Sequence, residues 1–363
     1  MIPEKQIPTT AFVVEKPGTP FVLQDVVLDE VRAREVLVEM KYTGICHTDI
    51  IVQQGAIPVG DYPAVLGHEG AGIIRRVGSG VKDKSLQDGD LVFLGFSSCH
   101  KQTCSPCSNG RNGFCDQVIP INFAGARGLS AAESPISFPG GKGPIRGQFF
   151  GQSSMSKLAV VDERSVVKSP PESGITVEDM AVLAPLGCGY LTGAGTVFNV
   201  LKPTPTSRFA VLGMGAVGMA AMLAARSQGV ETIIAVDIVD AKLELAKSLG
   251  ASHTLNTKIP LLEAAVKALG HQGILAMVGL PRAGSSLNID PVALVMACKR
   301  VVGVIEGCAN PAVIIPQLID LYKQGKFPVD KLAKTYAPGD FEQAMTDLHC
   351  GNVIKPVIKW ADL

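Results

Sequence analysis

Residues 208–218 read RFAVLGMGAVG, an apolar run that ends in glycines at 213, 215 and 218. Phe, Val and Leu ahead of a glycine turn predict a strand, and the AVGMAAMLAARSQG that follows (216–229) predicts a helix. The G-x-G-x-x-G spacing gives each glycine a task. Gly213 permits the turn, Gly215 lets backbone approach a pyrophosphate, and Gly218 lets helix and strand pack closely, while the helix N-terminus attracts phosphate charge. Taken alone, the same spacing also describes a plain strand–turn–helix joint. The next apolar run, TIIAVDI (232–238), carries Asp237, 24 residues beyond Gly213. A carboxylate there accepts hydrogen bonds from a ribose 2′-hydroxyl and repels a 2′-phosphate. The four residues are therefore expected to hold a dinucleotide, NAD in preference to NADP.

Working outward, strands and helices alternate after residue 208: DAKLELAKSLG (240–250) is a helix, HTLNT (253–257) a strand, PLLEAAVKALG (260–270) a helix, and GILAMVGL (273–280) and VVGVIEG (301–307) strands. That alternation predicts a parallel sheet covered on both faces. The first third is different, with short runs such as AFVVEKPG (11–18), EVLVEMKYTG (35–44) and GAGIIRRVGSG (70–80) that end near Gly or Pro. Residues 117–150 lack helical periodicity and predict a long surface loop or pocket lid. The last run, VIKPVIKW (353–360), predicts a closing strand. The expected plan is a β-rich domain over 1–187, an α/β domain over 188–329, and a tail over 330–363 returning to the first.

The chain has 363 residues, a prior of about two domains at roughly 150 residues each. Lys+Arg and Asp+Glu both number 33, so there is no cationic excess of the kind that nucleic-acid binding needs. At 47% hydrophobic and 18% charged, the chain is too apolar for disorder. Residues 180–201 carry no charge over a length that could span a bilayer. Their Pro185 and their glycines at 187, 189, 193 and 195 fit a buried, interrupted helix better, so no membrane association is expected. The N-terminus shows no signal-peptide pattern, and an odd nine cysteines point to metal or thiol chemistry in a reducing compartment, the cytoplasm.

Cys99, Cys104, Cys107 and Cys115 cluster in a polar loop, where four thiolates can close a structural zinc site. Cys46, His68 and Cys188 are scattered among glycines in TGICHTD, LGHEG and PLGCGY. Spacing alone leaves them open, as metal ligands or as core filler and a turn histidine.

GICHTD (44–49), GHEGAG (67–72), the cysteine loop, PLGCG (185–189), GMGAVG and Asp237 occur in an order that resembles the zinc-dependent alcohol dehydrogenases, a branch of the medium-chain dehydrogenase/reductases. The GQFFGQSSMSKLAVVDERSVVK stretch is most similar to the aryl- and benzyl-alcohol type, which fungal tailoring enzymes of secondary metabolism also resemble. The resemblance implies a GroES-like catalytic domain joined to a Rossmann sheet. It implies Cys46, His68 and Cys188 as catalytic zinc ligands, with Glu69 as an outer carboxylate able to approach the metal. Asp49 would orient His68 and Thr48 would carry the alcohol proton away, although both could simply cap a helix. His47 and Lys355 would contact the cofactor pyrophosphate, or Lys355 would be a solvated charge, and Lys242 would meet the adenosine ribose. The implied reaction is hydride transfer between a small-molecule substrate, a primary aromatic or allylic alcohol or its aldehyde, and NAD(H), in a homodimer or homotetramer that pairs near VVGVIEG. Residues 51–62 and 117–150 would shape the pocket.

Three departures stand out. The cysteine loop opens Cys-x4-Cys where the family shows Cys-x2-Cys, with Lys101 at the usual ligand place; Cys99 is expected to reach on a bulge, with His100 a weaker substitute. Ile51 stands where some relatives have a proton-relay histidine. After HTLNT the chain passes almost at once into PLLEAAVKALG, where the family has a further helix and strand, on the order of 25 residues. In the sheet order 3-2-1-4-5-6 that strand is central, so either GILAMVGL slides into its place or the sheet lacks a helix–strand unit. A second functional reading follows from this gap: a relative with impaired catalysis, a pseudoenzyme or a mis-spliced form, that retains zinc and dinucleotide binding.

Overall fold

A computed structural model describes residues 6–57, 62–125, 127, 133–141, 143–258, 261–280 and 284–361. The pocket-shaping segments expected over 51–62 and 117–150 thus lie partly outside the described residues, at 58–61, 126, 128–132 and 142. The chain divides into two compact units. The first holds Met1–Gly189, Asn310–Lys323 and Val329–Leu363, and the second holds Tyr190–Ala309 and Gln324–Pro328.

The first unit opens with β1 (Ile7–Val14), β2 (Phe21–Leu28), β3 (Glu35–Gly44), helix α1 (His47–Gln53), β4 (Ala64–Val65), β5 (Gly70–Val77) and β6 (Leu91–Leu94). Short helices α2 (Ser105–Ser108) and α3 (Val118–Phe123) follow, then β7 (Ile136–Ser137), β8 (Pro144–Ile145), β9 (Leu158–Asp162), β10 (Val166–Lys168) and α4 (Met180–Leu183). The segment expected as irregular over 117–150 therefore contains one short helix and two short strands. Six-residue and two-residue elements are too brief to leave a periodicity. β7 and β8 extend a sheet in the order β4-β1-β2-β7-β8.

The chain enters the second unit through α5 (Gly189–Gly195). Then come β11 (Arg208–Leu212), α6 (Ala216–Ser227), β12 (Thr232–Asp237), α7 (Asp240–Ser248), β13 (His253–Asn256), α8 (Leu261–Ala268), β14 (Ile274–Met277), α9 (Pro291–Met296) and β15 (Arg300–Gly303). The uncharged 180–201 stretch is buried in pieces: Met180, Leu183 and Leu186 in the first unit, and Tyr190, Leu191 and Ala194 in the second, are each 0% exposed. Among the described residues no single helix is long and apolar enough to cross a membrane.

The return comprises α10 (Pro311–Lys323), β16 (Ala333–Tyr336), α11 (Phe341–Cys350) and β17 (Lys355–Lys359). β17 pairs antiparallel with β3, completing the sheet β10-β6-β5-β3-β17-β16, with β9 also on β3. This is the expected closing strand. The return begins earlier than residue 330, however, because α10 buries Ile314, Ile315 and Leu318 and packs against β10 and the 184–187 turn of the first unit. Cys188 likewise falls in the first unit and not at the start of the second.

In the second unit, β11, β12 and β13 pair in parallel in that order. β14 pairs in parallel with β15 as a separate two-stranded sheet, and among the described residues neither β11 nor β14 has a second neighbour. GILAMVGL therefore does not slide in beside β11. Among the described residues no helix–strand unit joins the two sheets, and only residues 257–260 lie between β13 and α8.

Gly218 shows how tightly the first β–α joint is packed. A Cβ there would stand 1.9 Å from the Gly213 carbonyl oxygen and 3.1 Å from Val211 Cγ1. Backbone cannot yield as a flexible side chain can, so Gly218→Ala is expected to destabilise the second unit by about 1–3 kcal/mol. A thermal melt monitored in that unit checks this; an unchanged midpoint would contradict the packing described.

Candidate active site

Cys46 is the N-cap of α1, with extended backbone angles. Three residues on, the Asp49 carboxylate is 0% exposed and carries three hydrogen bonds. Oδ2 accepts from the Cys46 backbone N–H at 3.0 Å, while Oδ1 accepts from Gly67 N–H at 3.0 Å and lies 2.9 Å from His68 Nδ1. Asp49 thus both caps the helix and fixes the imidazole, joining the two expected roles in one group. Gly67 has φ +90°, and a Cβ there would meet the Met155 backbone nitrogen at 2.4 Å, so this turn into His68 requires glycine.

With Nδ1 engaged by Asp49, His68 Nε2 is buried and has no hydrogen-bond partner. It points to a ligand: the donor atoms of Cys46, His68 and Cys188 all lie within 4.8 Å of one another. Two soft thiolates and an imidazole suit zinc, and three protein ligands leave a fourth position open, as catalytic zinc sites do. The hydrogen bond from Cys188, with the charges of His68 and Lys355, holds Cys46 well below the ordinary thiol range. Burial would pull His68 down, but the charges of Asp49 and Cys46 outweigh it and raise its pKa.

Behind the ligands, Glu69 is fully buried. Its Oε1 accepts from Gly189 N–H at 2.9 Å and from Lys355 Nζ at 2.9 Å, and Nζ is equally close to Oε2. Burial pushes the Glu69 carboxyl up, against the pull of Lys355. Lys355, expected at the cofactor pyrophosphate or in solvent, is 3% exposed and also donates to the Ile45 carbonyl at 3.1 Å. Burial opposes its charge, yet Glu69 and Cys46 keep it protonated. Its ammonium pairs with Glu69 beside the candidate metal ligands, because β17 runs beside β3 and carries it into the interior. Thr48 is half-buried and His47 exposed, both on the first turn of α1.

Two aromatic residues of the 117–150 segment, not singled out in the sequence, lie against the histidine. Phe150 stacks on His68 at 4.5 Å between ring centroids, and Phe149 meets the same ring edge-on at 5.5 Å. Phe123 packs on both phenylalanines. Phe150 adopts φ 54°, a left-handed conformation costly for a bulky side chain, which turns its ring onto the imidazole. Gln152 is another omission: its amide donates to the His68 carbonyl at 3.1 Å and its Oε1 accepts from Gly70 N–H at 3.1 Å. Phe149, Phe150 and Gln152 lie in GQFFGQSS (147–154), whose glycines and paired aromatics were the available signal, whereas Phe123 ends α3.

The cysteine loop brings Cys99, Cys104, Cys107 and Cys115 together, all four sulfurs within 4.8 Å of one another. Cys99 and Cys107 sulfurs are 3.6 Å apart, near the ~3.8 Å edge of a tetrahedron with 2.3 Å zinc–sulfur bonds. Cys115 Sγ accepts from the backbone N–H groups of Cys99 and Gln117, each at 3.4 Å. The widened Cys-x4-Cys gap is absorbed by His100, whose φ of 50° makes the bulge, and Lys101 is exposed.

In the second unit Asp237 is 8% exposed. Its Oδ2 accepts from Met214 N–H at 2.6 Å, and its Oδ1 from Ile238 and Val239 N–H at 2.8 and 3.0 Å. A carboxylate has about four acceptor sites, so one remains for a ribose hydroxyl. The glycine loop fits a phosphate: Gly215 caps α6 without any side-chain hydrogen bond, and an added Cβ there meets nothing within 4 Å. Lys242 is half-buried on α7, five residues beyond Asp237.

With this geometry in view, the comparisons identify the family. Residues 32–171 match the alcohol dehydrogenase GroES-like domain and residues 216–260 the zinc-binding dehydrogenase domain. The chain belongs to the zinc-binding alcohol dehydrogenases of the medium-chain dehydrogenase/reductase superfamily. It is 32% identical to a geraniol dehydrogenase of Castellaniella defragrans, covering 97% of this chain and 98% of that one. Among solved structures it resembles the benzyl alcohol dehydrogenase of Acinetobacter calcoaceticus, with a TM-score of 0.89 at 39% identity, covering 98% of this chain and 100% of that one. It also resembles an alcohol dehydrogenase zinc-binding domain protein of Burkholderia ambifaria, with a TM-score of 0.90 at 36% identity and the same coverage. None of these comparisons favours the reading of a catalytically impaired relative.

Two outcomes follow from the metal sites. Asp49→Asn removes the charge that fixes His68 and is expected to weaken zinc at Cys46, His68 and Cys188 by about 10–100-fold, measured by chelator competition. Unchanged affinity would deny Asp49 its orienting role. In the cysteine loop, burial pushes the Cys99 thiol up to about 12 and also raises Cys107. Zinc must displace those protons, so its affinity for the loop rises with pH, and titrations at acidic and alkaline pH should differ in that direction.

Proposed function

We propose that the chain is an NAD-dependent zinc alcohol dehydrogenase interconverting a primary aromatic or allylic alcohol and its aldehyde. The observation that carries this reading is the buried, unpartnered His68 Nε2 beside the Cys46 and Cys188 sulfurs, with an aromatic wall against the same ring. A zinc ion held by these three ligands supplies a Lewis acid that makes an alcohol acidic near neutral pH. Two thiolates and a neutral imidazole balance its charge, and Asp49 keeps the imidazole proton on Nδ1 so that Nε2 is the donor. Glu69 and Lys355 form a neutralised pair next to that set, so the charge of Glu69 is balanced by the Lys355 ammonium. Thr48, half-buried on the first turn of α1, would take the alcohol proton at its hydroxyl, and Ile51 on the same helix offers no relay. NAD, when bound, would supply the hydride acceptor, so that alcohol and NAD give aldehyde, NADH and a proton, and the reverse reaction consumes the same species.

Phe123, Phe149 and Phe150 support an aromatic or allylic substrate, and the geraniol and benzyl alcohol dehydrogenase relatives agree with that class. The single remaining acceptor site on Asp237 favours NAD over a 2′-phosphorylated cofactor. Exposed Val292, Val295 and Met296 on α9, just ahead of β15, support self-association in that region. None of the nine cysteines is joined in a disulfide, which suits a reducing cytoplasm.

The test is NADH formation from benzyl alcohol by the zinc-loaded protein, with and without chelator. Chelator-sensitive turnover is expected, with NAD preferred to NADP. Its absence across neutral to alkaline pH would contradict the proposed activity.

A further inference from the structure

We propose that the second unit holds a dinucleotide through its adenosine-diphosphate half, so that an ADP-ribosyl ligand binds as tightly as whole NAD(H). The inference rests on the dinucleotide reading above and sharpens it. A doubly wound unit binds a dinucleotide as two mononucleotide halves, one on each side of the crevice where the strand order reverses. That crevice lies between the first strand and the fourth.

The first half is complete. β11, α6, β12, α7 and β13 follow one another, with the strands in unbroken parallel register. The turn at Gly215 has open space where a Cβ would stand, the N-terminus of α6 is uncapped, and Asp237 keeps an acceptor site for ribose.

The second half is short of its first strand. Among the described residues β11 pairs with β12 alone, and β14 with β15 alone. Among the described residues one helix, α8, lies between β13 and β14. Returning a parallel strand to the side of β11 takes a crossover of about a dozen residues or more besides the strand itself. Burial agrees with an open edge. Strands in the middle of a parallel sheet are covered on both faces, yet Arg208 and Ala210 of β11 are exposed and every residue of β14 is only half-buried. The geraniol dehydrogenase aligns over 378 positions, more than the 363 residues of this chain, so that relative carries residues that this chain lacks.

The nicotinamide half therefore has no central strand to rest on and adds little to affinity. The phosphate turn and Asp237, which ADP-ribose engages as fully as NAD(H), carry the binding.

Calorimetric titration of the zinc-loaded full chain with NADH, ADP-ribose and reduced nicotinamide mononucleotide tests this. The expected result is saturable binding of NADH and ADP-ribose with Kd values within about threefold, and none for the mononucleotide. Asp237→Ala is expected to weaken both ligands by the same factor. NADH binding about tenfold or more tighter than ADP-ribose would overturn the inference while leaving the dinucleotide reading intact. Failure of both ligands to bind would overturn the two together.

Discussion

The Asp49 carboxylate is the constraint on which the catalytic geometry depends. Its three hydrogen bonds reach the N-cap of α1, the glycine turn before His68 and the imidazole itself. A buried carboxylate with no exposed surface is tolerated only when its lone pairs are engaged, and here each partner is a piece of the metal site. Cys46 and His68 come from separate segments of the first unit, so one side chain sets their relative position. The cost of burying this charge is offset by the order it imposes. Neighbouring groups follow the same rule, with Glu69 paired to Lys355 and Gln152 satisfying backbone on both sides of His68.

Much of this was legible in the sequence for definite reasons. G-x-G-x-x-G after an apolar run, with an acid at the end of the next strand, is a local pattern, and the structure returns it as β11, α6 and β12. The four clustered cysteines were equally local. Cys46, His68 and Cys188 were not, because His68 lies 22 residues after Cys46 and Cys188 another 120 residues on, and spacing carries no information over such distances. Only the resemblance to a family joined them.

What escaped the sequence had a physical cause each time. Lys355 looked like an anion ligand because a lone lysine gives no sign of its partner, and burial beside Glu69 depends on how β17 meets β3. Phe149 and Phe150 are adjacent in the chain, yet a left-handed Phe150 is needed to turn its ring onto His68. The start of the return was misplaced because α10 has the look of any amphipathic helix, and only packing reveals which unit it covers. The missing helix–strand unit was visible as a short linker after β13, but whether β14 would fill the place beside β11 was a tertiary question. It does not.

The central claim is that this chain builds two metal sites of different chemistry, one closed by four thiolates and one with two thiolates, an imidazole and an open place. Metal analysis combined with X-ray absorption at the zinc edge, on the intact protein and on His68→Ala, tests it most directly. The account predicts two zinc ions per chain, one in an all-sulfur environment and one with mixed nitrogen and sulfur, and selective loss of the mixed site in the variant. A single all-sulfur zinc in the intact protein, or a spectrum unchanged by His68→Ala, would contradict it.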